Sequence, residues 1–143
     1  MAERAAGAAA AAPALDAFIS VELKKAGLTS DRLLLVGFSQ GTMIALHIGL
    51  RRPETVAGIV GISGMLVAPE SLEADICSRP PVLLIHGTQD DVVPFRSMEL
   101  ASSALAAIGV RVETLASSGL GHSVGPVGLS AAIAFARGVL SHS

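Results

Sequence analysis

The 143-residue chain carries a formal net charge of −2, with 10 Lys and Arg against 12 Asp and Glu, and 51% of it is hydrophobic. That share is aliphatic: with no Trp, no Tyr and four Phe, platforms for stacking sugars or bases are excluded, and the scattered basic residues form no run that would hold nucleic acid or an anionic membrane. Cys77 is the single cysteine, which rules out an internal disulfide, a cysteine zinc cluster and a redox pair.

Residues 1–13 read as an Ala-rich N-terminal tail or frayed helix, and residues 14–143 as a single domain. Pro13 and Asp16 interrupt the Ala run before a long hydrophobic stretch can form, so the sequence predicts a cytoplasmic chain without stable membrane insertion. Leu15, Phe18, Ile19, Leu23 and Ala26 recur at helical spacing, and Gly27 stops that helix. Leu33 to Val36 is a continuous apolar run of strand length, expected for a strand buried on both faces. Gln40 to Leu50 follows as a helix, apolar nearly all round. Val56 to Ile62 and Val82 to Ile85 are two more buried strands. Met98, Ala101, Leu105 and Ile108 mark a helix closed by Gly109, and Val110 to Leu115 alternates as a half-exposed edge strand. Pro126 opens a last helix carrying Leu129, Ile133, Ala136 and Leu140. Strands and helices alternate, which predicts an α/β fold with a parallel sheet and helices on both faces.

Leu34-Leu35-Val36-Gly37-Phe38-Ser39-Gln40-Gly41 ends a strand and starts a helix. A serine hydroxyl is a poor nucleophile unless it is held exposed beside a base, and a tight strand-to-helix turn does that. Gly37 and Gly41 would remove Cβ atoms where the chain approaches itself, and the helix N-terminus at Gln40 offers free N–H groups to an oxyanion. In a chain with 15 Gly the pentapeptide alone is a weak signal; its place between a buried strand and a buried helix strengthens it. His86-Gly87-Thr88-Gln89-Asp90-Asp91-Val92-Val93-Pro94 follows the third strand and can hold an imidazole by its acid. Gly119-Leu120-Gly121-His122-Ser123 follows the last strand, where flanking glycines let a histidine turn into a cleft. Serine, then an acid (Asp90 or Asp91), then His122 stand in that chain order, all past strand C-termini.

On these three blocks the sequence resembles the phospholipase/carboxylesterase family of α/β-hydrolases, which includes acyl-protein thioesterase-like and small bacterial esterases, from about Leu15 to Leu140. The resemblance implies a truncated α/β-hydrolase fold of about four parallel strands flanked by helices on both faces. It implies Ser39 as nucleophile, Asp90 as orienting acid, His122 as general base and the Gln40 backbone N–H as an oxyanion donor. Family members have strands before the elbow, and a loop there supplies a second donor; nothing ahead of Ser39 resembles a strand ending in His-Gly-Gly.

The expected activity is hydrolysis of short-chain carboxylic esters through an acyl-enzyme, with a small-molecule ester substrate, no metal and no organic cofactor. Thioester or lysophospholipid hydrolysis, and a non-catalytic assembly module derived from a hydrolase, are the alternatives. Asp91 is the rival acid, read as a solvated loop carboxylate. His47 reads as structural, His86 as a shaper of the acid loop, and His142 as solvated. Cys77 reads as a spectator thiol, and Arg51, Arg52 and Arg137 as solvated helix ends. Met65, Leu66 and Val67, after the second strand, are candidates to line an acyl pocket with Val92 and Val93, and core or loop packing is the competing reading for all of them. The elbow strand has no partner in the sequence along its far side, which predicts a homo-oligomer through an exposed sheet edge, the alternative being that residues 1–13 fold back over that edge and keep the chain monomeric.

Overall fold

Branched aliphatic runs fenced by Gly and Pro leave four short strands, and each is followed by a helix, so the strands must pair in parallel. The computed structural model describes residues 2–141. Helix α1 (Ala2–Ala26) leads through a 3₁₀ turn at Ser30–Arg32 into β1 (Leu34–Phe38), α2 (Gln40–Arg51), β2 (Gly58–Ile62) and α3 (Pro69–Asp75). Then come β3 (Val82–Gly87), α4 (Arg96–Ala107), β4 (Val112–Ser117) and α5 (Pro126–Leu140). The sheet is parallel in the order β1-β2-β3-β4, with Leu34 opposite Gly58, Ile59 opposite Val82, and Val82 opposite Val112. That register brings Phe38, Ile62, Gly87 and Ser117 to one edge, so the loops that follow all the strands emerge together. The architecture is the α/β fold with helices on both faces that the sequence predicts.

Two cores lie on the two sheet faces. Leu46 and Leu50 of α2, Ile59, Val82 and Leu84 of the strands, Leu72 of α3 and Leu105 of α4 fill one face. Val60, Ile62, Leu83 and Ile85 meet Ala132 and Phe135 of α5 on the other. Burying one such Leu contributes about 1.5–3 kcal/mol.

Several elements differ from the sequence reading. The Ala-rich segment is the first half of α1, not a tail, because Ala is the strongest helix former and small enough to let α1 lie close to α2. Ala8, Ala12 and Ile19 are the buried residues of that helix, packed near Met43, Ile44 and Ile48, while Leu15 and Phe18 face outward. By length and composition Ala6–Ala26 could cross a membrane; here its inner face is occupied by α2. In α5 the inner face is Gly128, Ala132 and Phe135, and the Leu129 and Ile133 stripe is exposed. Helix α3 was not expected; Pro69 at its first turn was the available signal, and Leu72 anchors it in the core. Arg52 is not a solvated helix end: it is buried, with its Nη1 2.5 Å from Asp16 Oδ1. Arg51 reaches Asp75 at 3.3 Å. His142 lies outside the described residues.

Candidate active site

Ser39 occupies φ 56°, ψ −115°, a left-handed conformation that side chains rarely adopt and that lifts its Oγ clear of the sheet edge. The turn is fixed from both sides. Ser39 N–H donates to the Ile62 carbonyl at 2.8 Å, and the buried Thr42 Oγ1 bridges Gly37 O and Ile62 O at 2.9 Å each while accepting Ile62 N–H. A Cβ on Gly37 would lie under 3.0 Å from the Gly41 carbonyl and Thr42 N, so only glycine fits there. Gly41 is different. A Cβ on it would meet nothing within 4 Å, so no side-chain clash demands glycine at this position. The Ser39 carbonyl accepts Thr42 N–H and Met43 N–H, which leaves the N–H groups of Gln40 and Gly41 as the first-turn donors it does not take.

The acid and histidine loops are stitched together above β3 and β4. Gln89 N–H donates to Leu120 O at 2.9 Å, and Gly119 N–H to Thr88 Oγ1 at 2.8 Å. Gly87 permits this approach, since a Cβ there would strike the Leu120 and Gly121 carbonyls at under 3.0 Å. That residue went unweighted in the sequence, although it sits in the acid block; the signal was a glycine ending a buried strand.

The consequence is a linear relay. His122 Nε2 is 3.0 Å from Ser39 Oγ, and His122 Nδ1 is 2.8 Å from Asp90 Oδ2. Asp90 Oδ1 accepts Val92 N–H at 2.9 Å and Val93 N–H at 2.8 Å. Burial pushes the Asp90 carboxyl up, but the hydrogen bonds from His122, Val93 and Val92 outweigh it and hold the acid below the usual carboxylate range. A carboxylate facing Nδ1 favours the tautomer with Nδ1 protonated and Nε2 free to take the Ser39 proton. Phe38 packs on His122 with ring centroids 4.9 Å apart and planes tilted by 43°. Asp91 is exposed and outside the relay.

Of the acyl-pocket candidates, Val92 is 42% exposed and Met65 half-buried, so both remain reachable. Leu66 and Val93 are buried in the core and reach no substrate; Val93 contributes its backbone to Asp90 instead. His47 stands on α2 away from the relay, its pKa lowered by burial and by Arg51, partly offset by Asp75. Cys77 is exposed and free. Among the described residues no cluster of His, Cys, Asp and Glu could hold a metal.

The sequence profile of the family described as Phospholipase/Carboxylesterase matches residues 1–140. The chain belongs to this family. As a phospholipase/carboxylesterase it is similar to acyl-protein thioesterase 1 of Gibberella zeae, 32% identical over 116 residues that cover 78% of this chain and 49% of the relative. Acyl-protein thioesterase 1 of Aspergillus fumigatus is 34% identical over 71% of this chain and 44% of its own length. Among solved structures, esterase PE8 superposes with a TM-score of 0.93 at 49% identity, covering 96% of this chain and 64% of that one. Arabidopsis thaliana SOBER1 superposes with a TM-score of 0.87 at 28% identity, over 93% of this chain and 64% of that one. The chain thus spans about half the length of the curated relatives it matches and about two thirds of these structures.

Proposed function

We propose that this phospholipase/carboxylesterase chain is a serine carboxylesterase acting on short-chain esters, with Ser39, His122 and Asp90 as its catalytic triad. The observation that carries the reading is the unbroken relay from Asp90 Oδ2 through His122 to Ser39 Oγ, at 2.8 and 3.0 Å, on a strained elbow. Ser39 Oγ attacks the ester carbonyl carbon as His122 Nε2 takes its proton, and Asp90 stabilises the imidazolium. The oxyanion of the tetrahedral intermediate meets the Gln40 N–H at the start of α2. Collapse breaks the C–O bond, His122 returns the proton to the leaving alcohol, and a water activated by the same imidazole releases the acid from Ser39. Val92 and Met65 are the residues proposed to meet the acyl group. The short-chain preference follows from the lack, among the described residues, of an extended apolar lid beside the relay. No cofactor enters this chemistry.

The test is turnover of p-nitrophenyl acetate against p-nitrophenyl palmitate, with Ser39→Ala as control. Acetate hydrolysis that disappears in Ser39→Ala supports the reading; hydrolysis that survives the substitution defeats it, and a chain that turns over no ester is the assembly module of the alternative. Relatives named acyl-protein thioesterase favour a second reading, thioester hydrolysis by the same relay, which an acyl-thioester substrate reports directly. We also propose a cytoplasmic enzyme that works as a homo-oligomer through the β1 edge.

A further inference from the structure

One buried titratable side chain beside the relay has no part in the proposed proton transfer. His86 is the fifth residue of β3 and only 1% exposed. Its Nε2 lies 2.8 Å from the Val93 carbonyl oxygen and 3.3 Å from Asp90 Oδ2. A carbonyl can only accept, so Nε2 must carry the hydrogen. Phe95 stands edge-on to the ring at 6.0 Å and fixes its plane. Val93 also donates its own N–H to Asp90 Oδ1 at 2.8 Å. His86, Val93 and Asp90 therefore close a ring in which a strand of the central sheet grips the acid loop at its carbonyl and faces the acid itself. The titratable groups that face Asp90 are His86 and His122, both at Oδ2.

We propose that His86 is a positioning residue for ester hydrolysis: its Nε2–H holds the Val93 carbonyl, and through Val93, whose own N–H binds Asp90 Oδ1, it keeps the Asp90 carboxylate placed so that Oδ2 stays aimed at His122 Nδ1. The function comes from where the anchor originates. The Asp90 loop is a surface connection, and its two internal bonds to Oδ1 fix the carboxylate relative to the loop but not to the sheet. His86 ties both to β3, whose six residues are all buried. A misplacement of about 1 Å in such a relay costs on the order of 10²-fold in rate.

This inference rests on the serine-esterase reading, and Ser39→Ala separates the two: activity that survives it defeats the reading itself, whereas Ser39-dependent activity indifferent to His86 defeats only this proposal. Rates are taken per serine titrated by a fluorophosphonate, so that loss of folded protein does not count. His86→Asn, whose amide is too short to reach Val93, should lower kcat roughly ten- to hundred-fold with KM within about two-fold. His86→Gln, with an amide nitrogen near the place of Nε2, should recover kcat to within about three-fold. In an Asp90→Asn background the loss of His86 should cost little more, because the two act through one group. In the wild-type protein, long-range ¹H–¹⁵N spectra should show Nε2 of His86 protonated. A bare Nε2, a folded His86→Gln as slow as Asp90→Asn, or fully additive losses would overturn the proposal. If His86→Asn does not fold, the spectrum and His86→Gln decide it.

Discussion

Gly87 and Gly41 lie in the two motifs with opposite constraints on them, and the difference is measurable. A methyl group at Gly87 would press on two carbonyls of the histidine loop, neither of which can rotate away as a side chain could. Gly87→Ala is therefore expected to separate the acid and histidine loops, costing about 1–3 kcal/mol in stability. It should also lower kcat by on the order of 10²-fold or more through displacement of His122. Gly41→Ala meets open space on a helix and should gain up to about 1 kcal/mol of stability from helix propensity. Thermal unfolding beside esterase kinetics checks both, and a Gly87→Ala protein as active as wild type would mean that the loops are not held by this contact. Asp90 adds a pH signature. Its carboxyl is held below the usual range, so the ionised form stabilises the fold at pH above about 4 and that contribution is lost as pH falls through the lower folded value. Asp90→Asn lacks it. Urea midpoints of the two proteins should converge as pH is lowered below about 4, and parallel curves would contradict the assignment.

Helix α2 shows how one element joins the site to the rest of the fold. Its first turn carries Gln40 at the elbow, its middle packs on α1, and its last turns place His47, Arg51 and the following Arg52 beside Asp16 and Asp75. His47 Nδ1 is buried without a hydrogen-bond partner among the described residues. Burial first, and then the Arg51 charge, pull this imidazole below the ordinary histidine range, against a smaller opposing pull from Asp75. The unfolded chain binds a proton there sooner than the folded one, so stability should fall as pH drops below about 6.5. His47→Gln should flatten that slope between pH 7 and 5 in the same urea series; an unchanged slope would place the titration elsewhere. The three motifs and the four strands were legible in the sequence, β2 and β3 because buried parallel strands are continuous apolar runs; β1, which the same rule expects to be buried on both faces, is not, since Val36 and Phe38 are exposed there. The helix faces were not. In α1 and α5 the larger residues Leu15, Phe18, Leu129 and Ile133 suggested the inner stripe, yet the small residues Ala8, Ala12, Gly128 and Ala132 face inward. Small side chains let a helix sit close: a Cβ on Gly128 would already stand 3.1 Å from Ile85. Apolar periodicity identifies a helix with two apolar faces but cannot say which one its neighbour takes. For Leu66 and Val93 the sequence left pocket and core open, since hydrophobic residues after a strand suit both, and both are buried.

Those outward apolar residues bear on the state of the whole molecule. Among the described residues strand β1 has β2 on one side only, and on its other side the backbone N–H and C=O groups between Leu34 and Phe38 face no strand. Val36 is 60% exposed and Phe38 41%, while α5, covering the strands beside it, exposes Leu129 at 54% and Ile133 at 46%. An uncharged strand edge is a template for another strand, and each backbone group left unpaired on burial costs about 1–3 kcal/mol, so association must pair the edge and not merely cover it. In the proposed homo-oligomer a two-fold axis beside β1 would do this with one surface, setting two β1 strands antiparallel and joining two four-stranded sheets. The expected particle has twice the 14.4 kDa mass of the chain by light scattering after size exclusion at micromolar concentration. Val36→Lys, which puts a charge on the edge at a position already exposed, should return it to one chain mass with its fold intact. Phe38 makes the outcome functional, because the same ring that stands at this edge packs on His122. A dimer through β1 should therefore show specific activity that rises with protein concentration in the range where it assembles, and Val36→Lys should abolish that rise. A wild-type particle of one chain mass, with activity independent of concentration, would refute the assembly.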